Sequence, residues 1–357
     1  MLAFKILIAI GAILLMVGVY AFIIEPRRLS EKHYLIRKNK ERVLDISEAS
    51  EMFELESEVQ IAHISDLHFS RWFKPRRLKK TLRSLREAKP DMIVFTGDLI
   101  DDYKKWPVRQ TKSLILALKQ MQAPLGKVAV LGNHDYKSDG AGFVKEVLES
   151  AGFTVLINQE LFGSNEEISL SVAGVADPSA KNAQYYYEAT LAQWQLLLLH
   201  QPDYISQVKN LSMYDLVLSG HSHGGQIRLP KYYPKTDGAK TFTDSLYLPK
   251  EETLLSVNTG IGTTHLPLRF GVPPEVIYYH LSSKTEAFPE YVNPFDFKAL
   301  IKEEKAKKAA NKMTAKDTLL PVPTAKKAHS KANEDKIVDM SLFRRRYHQK
   351  TKKRTGS

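Results

Sequence analysis

The chain has 357 residues, of which 43% are hydrophobic and 26% charged, so it is neither fibrous nor wholly disordered. It contains no cysteine, which excludes a disulfide framework, a thiolate zinc site, an iron–sulfur cluster and a cysteine nucleophile. Its net charge of +12 lies in residues 26–42 and 301–357, which leaves residues 43–300 at −4 and argues against a basic nucleic-acid groove in the body.

An apolar segment near the beginning of the chain, residues 6–24, contains 19 consecutive uncharged residues. As a helix it would rise roughly 28 Å, which is enough for one membrane crossing. A cleaved signal peptide is the alternative, but it would have a shorter apolar region and a small-residue cleavage site. We therefore expect residues 1–25 to be a single-pass membrane anchor.

The charge on either side of this segment predicts its orientation. Seven Lys/Arg follow it up to residue 42, whereas one lysine precedes it. The excess of positive charge predicts that the body lies on the cytoplasmic side of the cell membrane. The alternative is a basic linker that has been translocated, with the body outside the cytoplasm.

The rest of the chain is expected to contain a linker, one folded domain and a tail. Residues 26–58 have the composition of a basic, polar juxtamembrane linker. Residues 59–283 alternate apolar runs with amphipathic helical stretches, which is typical of an α/β domain. Residues 284–357 are basic and of low complexity, and we expect a disordered tail that could bind acidic lipid or another polyanion.

The apolar runs and the helical stretches define the expected elements of the domain. The runs expected to be strands are 59–64, 92–96, 127–131, 153–157, 168–175, 195–199, 216–218 and 254–257. Amphipathic spacing predicts helices over 76–88 and 110–121, which end near Pro90 and Pro124.

Five polar motifs follow five of the apolar runs. They are Asp66-Leu67-His68, Gly97-Asp98, Gly132-Asn133-His134-Asp135, His200, and Gly220-His221-Ser222-His223. Side chains that follow strands converge at one edge of an α/β sheet. The sequence therefore predicts a metal site built from carboxylate, amide and imidazole ligands, and the spacing of His221 and His223 favours two adjacent ions.

The five motifs in this order resemble the signature of the calcineurin-like metallophosphoesterases, and the resemblance covers residues 59–283. It implies a four-layer α/β/β/α sandwich and hydrolysis of a phosphoester. The first segment, the run Gly-His-Ser-His-Gly-Gly-Gln and residues 268–275 resemble a membrane-associated bacterial phosphodiesterase branch, which is related to enzymes that split UDP-diacylglucosamine.

The resemblance also implies a role for each motif residue. One metal would be bound by Asp66, His68, Asp98 and His223. The second would be bound by Asp98, Asn133, His200 and His221. Both would be divalent ions, with Mn²⁺, Fe or Zn²⁺ as candidates, and a water shared by them would attack phosphorus. His134 would protonate or orient the leaving oxygen, with Asp135 as its orienting partner.

Other polar residues have less specific expectations. Arg269 either clamps a substrate phosphate or forms a surface ion pair. His63 and His280 are expected to be structural. The third motif ends in Asp135 and no Asp-Arg-Gly follows Gly97, so a protein phosphatase is not expected.

Three functions fit these features. The first is a membrane-anchored phosphodiesterase or pyrophosphatase that acts on a lipid-linked or nucleotide-linked phosphodiester. The second is a nuclease of the same superfamily, recruited to nucleic acid by residues 301–357. The third is a membrane scaffold that binds acidic partners through its tail. No segment indicates an obligate protein partner.

Overall fold

The computed structural model describes residues 1–38, 43–47, 57–164, 168–188, 191–230, 232–250 and 253–283. The chain begins with helix α1 (Leu2–Val19), which continues through a π-helical turn, Tyr20–Ile24, and a 3₁₀ turn, Glu25–Arg27. This helical segment of 26 residues is almost entirely exposed and is long and apolar enough to cross a membrane.

A first sheet has seven strands in the order β2-β1-β13-β3-β4-β5-β6. In chain order these strands are β1 (Ser30–Arg37), β2 (Val43–Asp45), β3 (Val59–Ile64), β4 (Met92–Phe95), β5 (Gly126–Ala129), β6 (Thr154–Val155) and β13 (Glu275–Ser282). Strands β3 to β6 are mutually parallel, so their carboxyl ends share one edge. Strand β4 is buried along its whole length because both faces of the sheet are covered.

A second sheet has six strands in the order β11-β12-β10-β9-β8-β7. Its strands are β7 (Gln159–Ser164), β8 (Ser169–Gly174), β9 (Trp194–Leu198), β10 (Leu216–Ser219), β11 (Ser245–Lys250) and β12 (Thr253–Val257). The four central strands, β8, β9, β10 and β12, are parallel, and an antiparallel strand lies at each edge.

Three helices cover the outer face of the first sheet: α2 (Lys79–Ala88), α3 (Thr111–Lys119) and α5 (Ala141–Ser150). A one-turn helix, α4 (Asn133–Tyr136), precedes α5. Helix α2 buries Leu82 and Leu85 on one face and ends where Lys89 takes a left-handed conformation before Pro90. The predicted helices over 76–88 and 110–121 are thus present, the first with Pro75–Leu78 as a 3₁₀ turn.

The two sheets pack face to face around a core that includes Ile61 and Val94 from the first and Leu196 and Leu218 from the second. The outer face of the second sheet is covered by loops and by 3₁₀ turns such as Pro202–Gln207. The expected four-layer sandwich is confirmed, and in the described residues its fourth layer consists of loops and short 3₁₀ turns where α-helices were expected.

Part of the expected linker, residues 26–58, is a component of the first sheet. Strand β1 pairs in parallel with β13, and Lys32 forms a 2.6 Å ion pair with Glu275. Four residues of β1 are buried although the segment is rich in charge. The linker prediction is therefore wrong for residues 30–37 and 43–45. Strand β1 pairs with β13, which lies more than 200 residues away in sequence, and β2 pairs antiparallel with β1. The expected tail, 284–357, lies outside the described residues.

Candidate metal centre

The motif residues from both sheets meet at one edge of the sandwich. Asp66 and His68 follow β3, Asp98 follows β4, and Asn133 begins α4 just after β5. His200, His221 and His223 follow the ends of β9 and β10 in the second sheet. Because the carboxyl ends of these parallel strands share an edge, the predicted convergence is present.

The first ligand group contains Asp66, His68 and His223, whose candidate ligand atoms lie within 4.8 Å of one another. His223 Nε2 is 2.9 Å from His68 Nε2 and 3.5 Å from Asp66 Oδ1. His68 Nε2 is also 3.3 Å from Asp98 Oδ2. All four side chains are buried, so this concentration of ligand atoms is sequestered from bulk water.

The second group contains Asp98, His200 and His221, again within 4.8 Å. His200 Nε2 lies 3.4 Å from Asp98 Oδ2 and 3.1 Å from Asn133 Oδ1. Asp98 Oδ2 therefore lies near ligand atoms of both groups. A carboxylate in this position can bridge two cations.

Main-chain carbonyls set the orientation of two of the imidazoles. His200 Nδ1 is 2.6 Å from the carbonyl of Thr96, and His221 Nε2 is 2.6 Å from the carbonyl of Asp237. A carbonyl only accepts hydrogen bonds, so these nitrogens carry the proton. In the neutral rings, Nε2 of His200 and Nδ1 of His221 are then left with a lone pair for a metal.

The backbone is strained where the ligands lie. Five non-glycine residues have φ between 43° and 70°: Asp66, His68, Asp98, His221 and His223. Such left-handed conformations persist only where surrounding contacts impose them, and they cluster at functional sites. The site is also closely packed, because a Cβ on Gly220 would lie 2.3 Å from Asp66 Oδ2.

The electrostatics of the site favour ionised carboxylates. Burial alone would raise the pKa of Asp98, but His200 and His134 hold it well below the ordinary value. Burial likewise opposes ionisation of Asp66, and His223 and His68 lower its pKa. In turn Asp98 raises the pKa of His200 to about 10 against the effect of burial. The ionised carboxylates are thus stabilised by positive charge on protonated imidazole. A bound divalent cation would supply that positive charge in place of the protons.

A chain of buried hydrogen bonds supports Asp66 from behind. His63 Nε2 is 2.9 Å from Thr96 Oγ1, Thr96 donates to Ser65 over 2.7 Å, and Ser65 donates to Asp66 Oδ2 over 2.5 Å. His63 thus has a supporting position within the sheet, as expected. His280 also lies within the first sheet, 3.0 Å from His33 Nδ1.

His134 is oriented by Asp101, and the expectation that Asp135 orients it is wrong. His134 Nδ1 lies 2.7 Å from the main-chain carbonyl of Asp101 and 3.4 Å from its Oδ1. The buried Asp135 carboxylate instead accepts main-chain N–H groups, including those of Gly132 and Asp98 over 2.9 and 2.8 Å. Asp135 therefore ties the second and third motifs together. In the sequence, the feature that could have indicated Asp101 as a partner of His134 is the pair Asp101-Asp102, shortly after Gly97-Asp98.

Arg269 has neither of its two expected roles. Its side chain is 0% exposed, so it forms no surface ion pair, and its guanidinium group is not accessible to a substrate phosphate. It donates to main-chain carbonyls, including those of Gly262 and Val272, and Nη2 is 3.3 Å from His223 Nδ1. Arg269 is therefore a buried structural residue that contacts the candidate metal ligand His223.

Comparison with known proteins identifies the family. The sequence profile of the calcineurin-like phosphoesterases matches residues 59–225. The chain is 35% identical over 232 residues to the metallophosphoesterase YkuE of Bacillus subtilis, and the alignment covers 63% of this chain and 79% of that protein. This chain belongs to the calcineurin-like phosphoesterase family.

Two further similarities were found. The chain is 31% identical to the UDP-2,3-diacylglucosamine pyrophosphatase LpxG of Chlamydia muridarum, over 61% of this chain and 82% of that protein. The solved structure of a dimetal phosphatase from Danio rerio aligns with a TM-score of 0.40 at 10% identity, over 57% of this chain and 88% of that one. Family membership confirms a hydrolase that acts on phosphoester bonds.

Proposed function

We propose that the protein is a dinuclear phosphodiesterase or pyrophosphatase that cleaves a lipid-linked or nucleotide-linked phosphodiester at the membrane surface. The observation that carries the proposal is the position of Asp98 Oδ2, 3.3 Å from His68 Nε2 and 3.4 Å from His200 Nε2. One carboxylate oxygen thus lies close to ligand atoms of both candidate groups, which supports a site for two ions.

The donor set fits two divalent cations of intermediate softness, such as Mn²⁺, Fe or Zn²⁺. The first ion would be bound by Asp66, His68, Asp98 and His223. The second would be bound by Asp98, Asn133, His200 and His221. Bound there, the two ions would neutralise phosphoryl charge and activate a water molecule.

The chain itself contributes proton transfer and positioning. His134 is held by Asp101 through Nδ1, and its main-chain N–H donates to Asp98 Oδ1 over 2.8 Å. Nε2 is then the nitrogen left to donate a proton to the leaving oxygen. The hydrogen bond from the main chain of His134 to Asp98 fixes the position of this proton donor relative to the candidate ligands.

The N-terminal helix is attached close to the metal centre. The carbonyl of Ala21 accepts the main-chain N–H of Arg269 over 3.0 Å, and Glu25 accepts that of Gly271 over 2.9 Å. The Arg269 side chain lies against His223. If the helix crosses a membrane, the catalytic edge is held near that surface, where an amphiphilic substrate such as the one named for the Chlamydia relative is concentrated.

Activity of the full-length protein in detergent tests the proposed reaction. The substrates are UDP-2,3-diacylglucosamine, bis(p-nitrophenyl) phosphate, p-nitrophenyl phosphate and single-stranded DNA, each with Mn²⁺, Zn²⁺ or Fe²⁺. We expect the pyrophosphate lipid and the diester to be cleaved faster than the monoester. Preferential cleavage of DNA that is lost on removing residues 301–357 would support the nuclease. Lack of hydrolysis with every metal would support the scaffold.

Orientation is tested by proteolysis of protoplasts. The excess of Lys/Arg after the apolar helix predicts a cytoplasmic body. Protease added to sealed protoplasts should spare residues 43–357 and should digest them once the membrane is opened. Digestion in sealed protoplasts would place the body outside and move the expected substrate to the outer leaflet.

A further inference from the structure

A strongly basic pocket lies beside the end of the N-terminal helix and shares no residue with the metal centre. It has a volume of about 530 Å³. Its lining consists of Arg27, Arg71, Trp72, Lys74, Arg76, Arg77 and Lys79. Among the residues that the structure describes, this lining has six cations and no carboxylate.

The pocket is built by anchoring a short loop to the helix end. The main-chain N–H of Ser70 donates to the carbonyl of Phe73 over 3.0 Å, and the Phe73 ring is buried against Phe69. Arg77 Nη2 donates to the carbonyl of Pro26 over 3.2 Å, and Lys80 donates to that of Arg27 over 2.5 Å. The loop that carries the cations is therefore fixed to the residues that end the helix.

The cations of the pocket repel one another. The pKa of Arg77 is lowered mainly by partial burial, and the positive charges of Arg27 and Arg76 lower it further. The Arg71 guanidinium stacks over the Trp72 ring at 4.8 Å and the Arg77 guanidinium over Phe73 at 5.3 Å, contacts that supply no opposite charge. A concave cluster of one sign, held by a fixed backbone, attracts a multivalent anion.

We propose that this pocket binds the phosphate of an anionic phospholipid headgroup, in the bilayer that holds the N-terminal helix. The proposal depends on that part of the proposed function which places the helix in a membrane. Arg27 is the last residue of the helical segment, so the pocket lies at headgroup depth. Trp72 is 58% exposed beside it, and tryptophan favours the membrane–water interface. The bound lipid fixes the body against the membrane and is not the substrate.

Tryptophan fluorescence of the full-length protein in a zwitterionic detergent tests this binding. Trp72 is the exposed reporter, since Trp106 and Trp194 are 5% and 1% exposed. Dihexanoyl phosphatidylglycerol, dihexanoyl phosphatidylcholine and inorganic phosphate are titrated separately in the presence of EDTA. We expect a saturable change with phosphatidylglycerol alone, and loss of that change in Trp72→Phe.

Charge variants make the test specific. The pair Arg71→Gln/Arg76→Gln should raise the apparent dissociation constant for phosphatidylglycerol by about tenfold or more, because charge-assisted contacts are lost. The control pair Arg109→Gln/Lys112→Gln removes the same charge from exposed positions outside the pocket and should leave binding unchanged.

Several results would overturn the proposal. Equal responses to the two lipids, or equal weakening by the control pair, would show nonspecific association. Inorganic phosphate binding as tightly as phosphatidylglycerol would make this a free-phosphate site. Because the titration contains no free metal, Asp98→Asn should bind lipid normally. Catalysis without lipid binding would reject this inference alone, and lipid binding without catalysis would reject only the proposed reaction.

Discussion

The ring of His134 is held by a main-chain carbonyl, with Nδ1 2.7 Å from the oxygen of Asp101. The main-chain N–H of His134 donates to Asp98 Oδ1 over 2.8 Å. The loop after β4 therefore carries the proposed shared metal ligand, Asp98, and also sets the direction of the candidate proton donor. Displacement of this loop would disturb both functions together.

Replacing Asp98 with Asn should abolish turnover while the fold is retained. The amide has the shape of the carboxylate but lacks the charge that would serve both ions. We expect kcat to fall to below about a tenth of the wild-type value at saturating metal, with unchanged circular dichroism. Activity above that level at metal saturation would rule out Asp98 as the bridging ligand.

His134→Ala should slow the reaction by roughly 10² or more without removing metal. A general acid matters most when the leaving group is a poor one. The rate should therefore fall further for an alkyl phosphodiester than for a p-nitrophenyl diester. Metal content by atomic emission serves as the control, since lost metal would make His134 a ligand, and equal losses on both substrates would exclude proton donation.

Asp101→Asn should change the pH profile more than substrate binding. Its main-chain carbonyl remains, but the carboxylate near His134 and His68 is lost. Burial opposes protonation of His134, while Asp98 and Asp101 raise its pKa. Removing the Asp101 charge lowers that pKa, so the basic limb of kcat should move to lower pH. A uniform loss of kcat, with both limbs unmoved, would indicate a structural role only.

The pair formed by His33 and His280 should make the fold sensitive to acid. Burial lowers the pKa of both imidazoles to about 4. The unfolded chain binds these protons below about pH 6.5, so stability present above that pH is lost as the pH falls toward 4. The loss should be on the order of 2 kcal/mol per imidazole, after allowance for partial solvent screening.

Urea unfolding of metal-free protein at pH 7, 5.5 and 4 measures this effect. His280→Gln removes the buried imidazole of the pair and should lose less stability over this range than wild type. His265→Gln changes an exposed histidine and is the matched control. Identical pH dependence in wild type and His280→Gln would contradict the assignment.

The residue types of the candidate centre can be read from the sequence. Each candidate ligand lies shortly after a strand, so local apolar runs and the residues that follow them were enough to predict convergence at one edge of the sheet. The shared role of Asp98 was implied by the family resemblance. The apolar composition of residues 6–24 was likewise enough to predict a helix that could cross a membrane. A helix forms its main-chain hydrogen bonds within itself, so this prediction needs no information about distant segments.

The contacts made by distant segments and by main-chain groups depend on the tertiary fold. Strand β1 pairs with β13, and no local pattern identifies a partner so far along the chain. Arg269 looks like a surface cation in sequence, yet carbonyls such as that of Gly262 satisfy it in the interior. Asp101, rather than Asp135, orients His134 because the fold of the loop brings a carbonyl to Nδ1. Main-chain oxygens are common to every residue type, so their positions depend on the fold and cannot be read from side-chain identity.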